Sequence, residues 1–185
     1  MRAYLKEELE QFLQAVDAAL ERRVEVILIG GAAAALHYGA TRPTRDIDTW
    51  NTIHEDLARA AKRARLSTQL EVPVQKSGVA DAPSDFEARL ERVLSDCVRL
   101  VVLVPEKHDL VLMKAVRAYE HDLEVIAEIH GHFPLELETL VGRFETEMSP
   151  IGDPARIRGN FLAVVERVFP ASVDRVAQRL ESSRQ

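Results

Sequence analysis

The stretch ILIGGAAAALHYGATRPTRDIDTW, residues 27–50, decides the fold. Its first residues close an apolar, β-branched run, VEVILI, that begins at Val24. Such a run reads as a buried strand, and Gly30 and Gly31 read as the turn that ends it. The alanines that follow favour helix, and Gly39 stops that helix. Pro43 disfavours helix at Arg42. The next residues alternate, with Asp46, Asp48 and Trp50 on one face and Ile47 and Thr49 on the other, the pattern of a second strand.

Two features of this stretch carry chemistry. A strand that turns through glycines into a helix presents unpaired amides at the positive end of the helix dipole, which attracts phosphate. Glycine also lets an anion come close, having no Cβ. The same glycines could equally serve the turn alone. Asp46 and Asp48 stand at i and i+2 of a strand, so their Cα atoms lie about 6.6 Å apart on one side. Carboxylates this close repel each other, and a divalent cation relieves the repulsion. The other reading of the pair is the polar face of an exposed edge strand.

Working outward, apolar residues recur at helical spacing from 3 to 21: Tyr4, Leu5, Leu9, Phe12, Leu13, Val16, Ala19 and Leu20. After the aspartates, 52–66 reads as a helix capped by Thr52 with Glu55 in a capping box. A strand is expected within 69–79, weakened by Pro73. Ser84 and Glu87 fit another capping box, so 84–94 reads as a helix. CVRLVVLV, 97–104, is a strand closed by Pro105. Four helices follow, over 106–119 with a continuation past Asp122, then 135–148, 153–168 and 171–182. Pro105, Pro134, Pro150, Pro154 and Pro170 punctuate them. The expected fold is α/β in the α+β sense: a small mixed sheet flanked by helices, then a helical C-terminal half.

The chain has 185 residues and a net charge of −6. That length fits one domain or one with a helical appendage. The charge argues against gripping nucleic acid over the whole surface. Arg59, Lys62, Arg63 and Arg65 form either a local basic patch or a solvated helix face. The single cysteine, Cys97, excludes an internal disulfide and a thiolate zinc cluster. It sits in an apolar run and reads as a small buried hydrophobe. The six histidines, His37, His54, His108, His121, His130 and His132, lack zinc-like spacing and read as structural or surface groups. Trp50 reads as a core or interface aromatic, or as a platform for a base. A third glycine is missing for a dinucleotide fold, and no Lys-Ser follows for a P-loop. No serine occupies a strand-to-helix turn as in a serine hydrolase. The N-terminus lacks a signal-peptide core, and no window approaches the ~20 apolar residues of a membrane span. A cytoplasmic location and no membrane partner are expected.

Gly30, Gly31 and Ala33, followed by Arg42, Thr44, Asp46 and Asp48, resemble the signature of the DNA polymerase beta-like nucleotidyltransferases. There a Gly-Gly or Gly-Ser turn opens a helix, and an Asp-x-Asp or Asp-x-Glu pair follows on the next strand. The version here is most similar to AbiE-type toxin relatives and to bacterial nucleotidyltransferases of unknown substrate. The segment VPEKHDLVLMKAVRAYEHDLEVIAEI, 104–129, is similar to their helical element through Lys114, Arg117 and Asp122. APSDFEARLERV, 82–93, also resembles them through Phe86 and Arg89. The resemblance implies a nucleotidyltransferase-like domain over 1–130 and a helical extension over 131–185.

It further implies that Asp46 and Asp48 hold Mg²⁺ or Mn²⁺ and that Gly30 and Gly31 offer amides to a nucleoside triphosphate. Lys114 would put a compact charge on phosphate, with Arg117 beside it. Asp122 would orient Lys114 or approach the acceptor hydroxyl, and Arg42 and Thr44 would brace the metal strand or touch phosphate. The acceptor would be RNA, a protein or a small molecule. A toxin role with an antitoxin partner follows only by analogy. Three positions depart from the family pattern. The strand 97–104 holds no third carboxylate, and Asp96, Glu71 and Glu106 only flank strands. Val125 stands where relatives carry a second Asp. Gly31 stands where many carry a serine. The alternative is a catalytically silent fold that binds a partner.

Overall fold

The structure is a computed structural model that describes residues 2–78, 81–148 and 152–182. The chain forms two compact units, one from Met1–Val79 with Leu90–Pro105, the other from Ala80–Arg89 with Glu106–Gln185. The expected strand end at Val79 and the break at Pro150 lie outside the described residues.

The first unit is a mixed sheet with helices packed on it. Helix α1, Lys6–Ala19, buries Leu9, Phe12, Leu13 and Val16, the stripe its spacing dictates. Strand β1, Val24–Ile29, runs straight into α2, Gly30–Tyr38, whose alanines Ala32–Ala35 are all buried. Gly39 ends α2 in the left-handed conformation at φ 72°, as the C′ glycine rule requires. Strand β2, Ile47–Thr49, precedes α3, Glu55–Thr68, and β3, Val74–Lys76. Strands β4, Glu91–Val93, and β5, Leu100–Val104, complete the sheet in the order β3-β2-β1-β5-β4. β1 pairs parallel with β5 and antiparallel with β2, while β3 lies parallel to β2. Helix α3 buries Leu57, Ala60, Ala61 and Ala64 and packs on α1. Asp17 at the end of α1 accepts the amides of Arg99 and Leu100 at 2.6 Å each, which pins the start of β5.

Several local expectations give way to tertiary pairing. Tyr4 is not helical; its backbone exchanges hydrogen bonds with Thr44 at 2.7 and 3.0 Å. Thr52 does not cap α3; the His54 ring accepts the Asp56 amide at 3.2 Å instead. The helix expected over 84–94 is a 3₁₀ turn, Phe86–Arg89, followed by β4. Strand β5 otherwise has an open edge, and Glu91, Arg92 and Val93 fill it in antiparallel register. Glu91 also ties this edge to α2: its Oε2 accepts Tyr38 Oη at 3.1 Å and lies 2.6 Å from His37 Nε2.

The second unit is helical: α4, Lys107–Ala115; α5, Glu120–His132; α6, Leu137–Glu147; α7, Pro154–Val168; and α8, Val173–Ser182. The continuous helix expected from 106 past Asp122 is broken between α4 and α5, where Ala118 takes φ 43°. Leu110, Leu112, Ile126, Ile129, Leu140 and Phe161 are fully buried, and Phe144 stacks on Phe161 at 4.1 Å.

An ion network runs through this apolar core. Arg89 forks onto buried Asp109 at 2.8 and 3.0 Å and also pairs with Glu147. Arg143 joins Asp109 at 2.9 Å to Glu106 at 2.6 Å, and His108 Nδ1 sits 2.7 Å from the other Glu106 oxygen. Paired and hydrogen-bonded, these charges tolerate burial.

Burial works to raise the Glu106 carboxyl, but its hydrogen bonds to His108 and Arg143 outweigh that and bring it down from 4.5 to about 2. A depressed carboxyl stabilises the fold above its unfolded value, and that stability is lost as pH falls through the folded one. Wild type should therefore lose on the order of 2–3 kcal/mol between pH ~4.5 and ~2 through this group. Glu106→Gln should be less stable at pH 7 and show a flatter acid limb in denaturant titrations. An unchanged acid limb would remove Glu106 from the account.

Candidate functional site

In the first unit, the end of β1 brings the glycine turn against the carboxylate strand. Ile29 pairs with Asp48 across the antiparallel β1–β2 ladder, so Gly30 follows directly beside Asp48. Gly30 has φ 67°, and a Cβ there would stand 3.4 Å from Asp48 Oδ2. A Cβ on Gly31 would stand 2.8 Å from Thr44 Oγ1. Gly31 thus answers a close approach, and Gly30 a positive φ. Helix α2 has no side-chain cap at Ile29 and no acidic residue in its first turn. The amide-rich end of its dipole therefore faces the carboxylate strand without an anion of its own.

Asp46 lies just before β2 and Asp48 within it, both partly exposed, while Ile47 and Thr49 on the other face are fully buried. That alternation aims the two carboxylates the same way. Thr44 is held by its bridge to Tyr4, and its hydroxyl donates to the Asp46 carbonyl at 3.2 Å. Burial, then the neighbouring Asp48 charge, raise the Asp46 carboxyl above its ordinary value, with Arg45 opposing them. Arg42 lies exposed ahead of Pro43, and half-buried Trp50 donates its amide to the Ile27 carbonyl at 2.8 Å.

A third side chain, which no sequence pattern singles out, meets the pair. Gln75 of β3 stands level with Asp48 in the parallel register. Its Nε2 donates to Asp46 Oδ2 at 2.8 Å and to Asp48 Oδ1 at 3.2 Å. The carboxylates therefore converge on one point. All-oxygen donors converging in this way suit a hard divalent cation. Among the described residues, no three His, Cys, Asp or Glu side chains gather as a metal set. Only the pairing of β3 with β2 identifies Gln75.

The remaining expected residues belong to the helical unit. Lys114 and Asp122 are both buried, with Nζ 3.1 Å from Asp122 Oδ1. Arg117 adds bonds to the same carboxylate at 2.8 and 3.1 Å. Burial works to raise the Asp122 carboxyl, and the Arg117 and Lys114 cations outweigh it, holding it low. Val125 is buried in α5. In the first unit, the basic run on α3 is largely paired: Arg59 with Asp56, Arg63 with Glu21, and Arg65 with the Val72 carbonyl. Five of the histidines have structural partners, His121 lying 3.7 Å from Asp122 Oδ2. His37 meets Glu91, His54 caps α3, His108 meets Glu106 and His130 accepts the Leu135 amide. Among the described residues, no helix is long and apolar enough to cross a membrane.

A family profile described as a nucleotidyltransferase of unknown function (DUF6036) matches residues 5–160. Neither a curated protein nor a solved structure matches the chain.

The tight approach at Gly31 is testable by a double-mutant cycle. Gly31→Ala should cost about 1–2 kcal/mol by overpacking against Thr44. The same change made with Thr44→Ala should cost less, because the nearest atom is gone. Additive losses in urea titrations would show that the turn yields elsewhere.

Proposed function

Since the chain belongs to this family of nucleotidyltransferases of unknown function, spanning residues 5–160, we propose that it transfers a nucleoside monophosphate from a nucleoside triphosphate to an acceptor. In this reading Asp46 and Asp48 hold Mg²⁺ or Mn²⁺. The observation that carries it is the meeting of an uncapped helix N-terminus with two converging carboxylates at the end of β1. When bound, the cation supplies neutralising charge to phosphate oxygens.

The residues divide the work as follows. The Gly30 and Gly31 amides take phosphate oxygens, at a turn where a side chain on residue 31 would crowd Thr44. Thr44 braces the Asp46 backbone, and Arg42 lends a cation nearby. The resemblance is what suggests that Lys114 and Arg117 serve phosphate, with Asp122 positioning both of them. The acceptor oxygen bonds to the α-phosphorus as the bond to the bridging oxygen of the β-phosphate breaks. Pyrophosphate leaves, and the acceptor proton passes to water. Positioning and charge supply the rate. The acceptor is RNA, a protein or a small molecule. The resemblance to polymerase beta-like, AbiE-type proteins is what suggests a toxin with an antitoxin partner.

One observation favours a second reading. The third group facing the pair is the neutral Gln75, which suits a silent fold that binds a partner.

The test is incubation of the protein with each α-labelled nucleoside triphosphate, Mg²⁺, and total cellular RNA and protein. Asp48→Asn should lower label transfer by more than about a hundredfold. It should melt no earlier than wild type, since it removes a repulsive charge. Absence of both label transfer and pyrophosphate release, with any nucleotide, would favour the silent fold.

A further inference from the structure

The side chain that joins the two aspartates has chemistry opposite to theirs. Gln75 presents an NH₂ group, and the proximity of two anions dictates that orientation: an amide oxygen turned inward would be repelled by both. Its nitrogen sits 2.8 Å from Asp46 Oδ2 and 3.2 Å from Asp48 Oδ1. It therefore occupies the point on which the carboxylates converge. We infer that Gln75 is an amide latch, which holds the aspartate pair together while no cation is bound and must swing away before a divalent cation is held. This rests on the proposed role of Asp46 and Asp48 as metal ligands.

Three observations carry the latch. Two carboxylates at i and i+2 repel each other, and a shared donor offsets that cost in the absence of a cation. Gln75 lies on β3, the outermost strand, and its side chain is exposed, so it has room to move. Its backbone is fixed level with Asp48 by the parallel ladder, so the amide returns to the same place when it closes. A cation and an NH₂ group cannot share the convergence point. Metal uptake therefore competes with two charge-assisted hydrogen bonds, weakened here by exposure to water.

The experiment is titration of the full chain with Mn²⁺ alone, followed by electron paramagnetic resonance of the free ion. It compares wild type, Gln75→Ala and Asp48→Ala, with thermal melts to confirm that each is folded. Gln75→Ala should bind Mn²⁺ about fivefold more tightly than wild type, as expected on losing competing hydrogen bonds to charged groups. Asp48→Ala should lose binding. Equal or weaker binding by Gln75→Ala, with Asp48→Ala still defective, would overturn the latch and leave the metal reading standing. Binding unaffected by Asp48→Ala, or none by wild type and Gln75→Ala alike, would overturn both.

Discussion

The candidate site depends on one strand being hydrogen-bonded on both sides. β1 lies in the middle of the sheet, parallel to β5 on one flank and antiparallel to β2 on the other. Its apolar residues leave it no stable place except the interior. Because β2 runs antiparallel, Asp48 arrives beside the last residue of β1, where the chain must turn into α2. A side chain at Gly31 would collide with Thr44, and Gly30 takes a positive φ, so both glycines follow from the turn that the pairing imposes. The meeting of the helix N-terminus with the two carboxylates is a consequence of that one arrangement.

Much of this is legible in the amino-acid sequence. The β1 run, the glycine turn, the stop at Gly39 and the Asp46–Asp48 alternation are all local patterns, and local patterns survive folding when they agree with the sheet. What is not legible depends on long-range register. Ser84 and Glu87 have the spacing of a capping box, yet the open edge of β5 draws Glu91–Val93 into a strand. Tyr4 fits a helical stripe, yet its backbone pairs with Thr44. Gln75 becomes visible only once β3 lies level with β2, because no sequence rule brings residue 75 to residue 48. Spacing alone therefore marks the carboxylates as a pair and leaves out the amide that faces them.

The helical unit uses charge in a different way. Asp109, Lys114 and Asp122 lie well away from bulk water, and each has cationic or anionic partners within hydrogen-bonding reach. Asp122 serves two cations at once, so the break between α4 and α5 is a device for bringing Lys114 and Arg117 to a single carboxylate. Pairs of this kind add little net stability over well-packed apolar groups, but losing one partner leaves an uncompensated buried charge. The arrangement therefore fixes where these cations sit more than it strengthens the fold.

The placement of Gln75 has a consequence for how such a chain can change over generations. It is an exposed residue on β3, at the margin of the sheet, and it supports no core packing. Most substitutions that alter an active site also disturb the scaffold, which sits close above its stability threshold. Here the position opposite the aspartates is uncoupled from core packing. A glutamine codon becomes a glutamate codon by a single base change, so the charge facing the aspartates is within one mutational step of being reset, in either direction, with the core packing beneath it left intact.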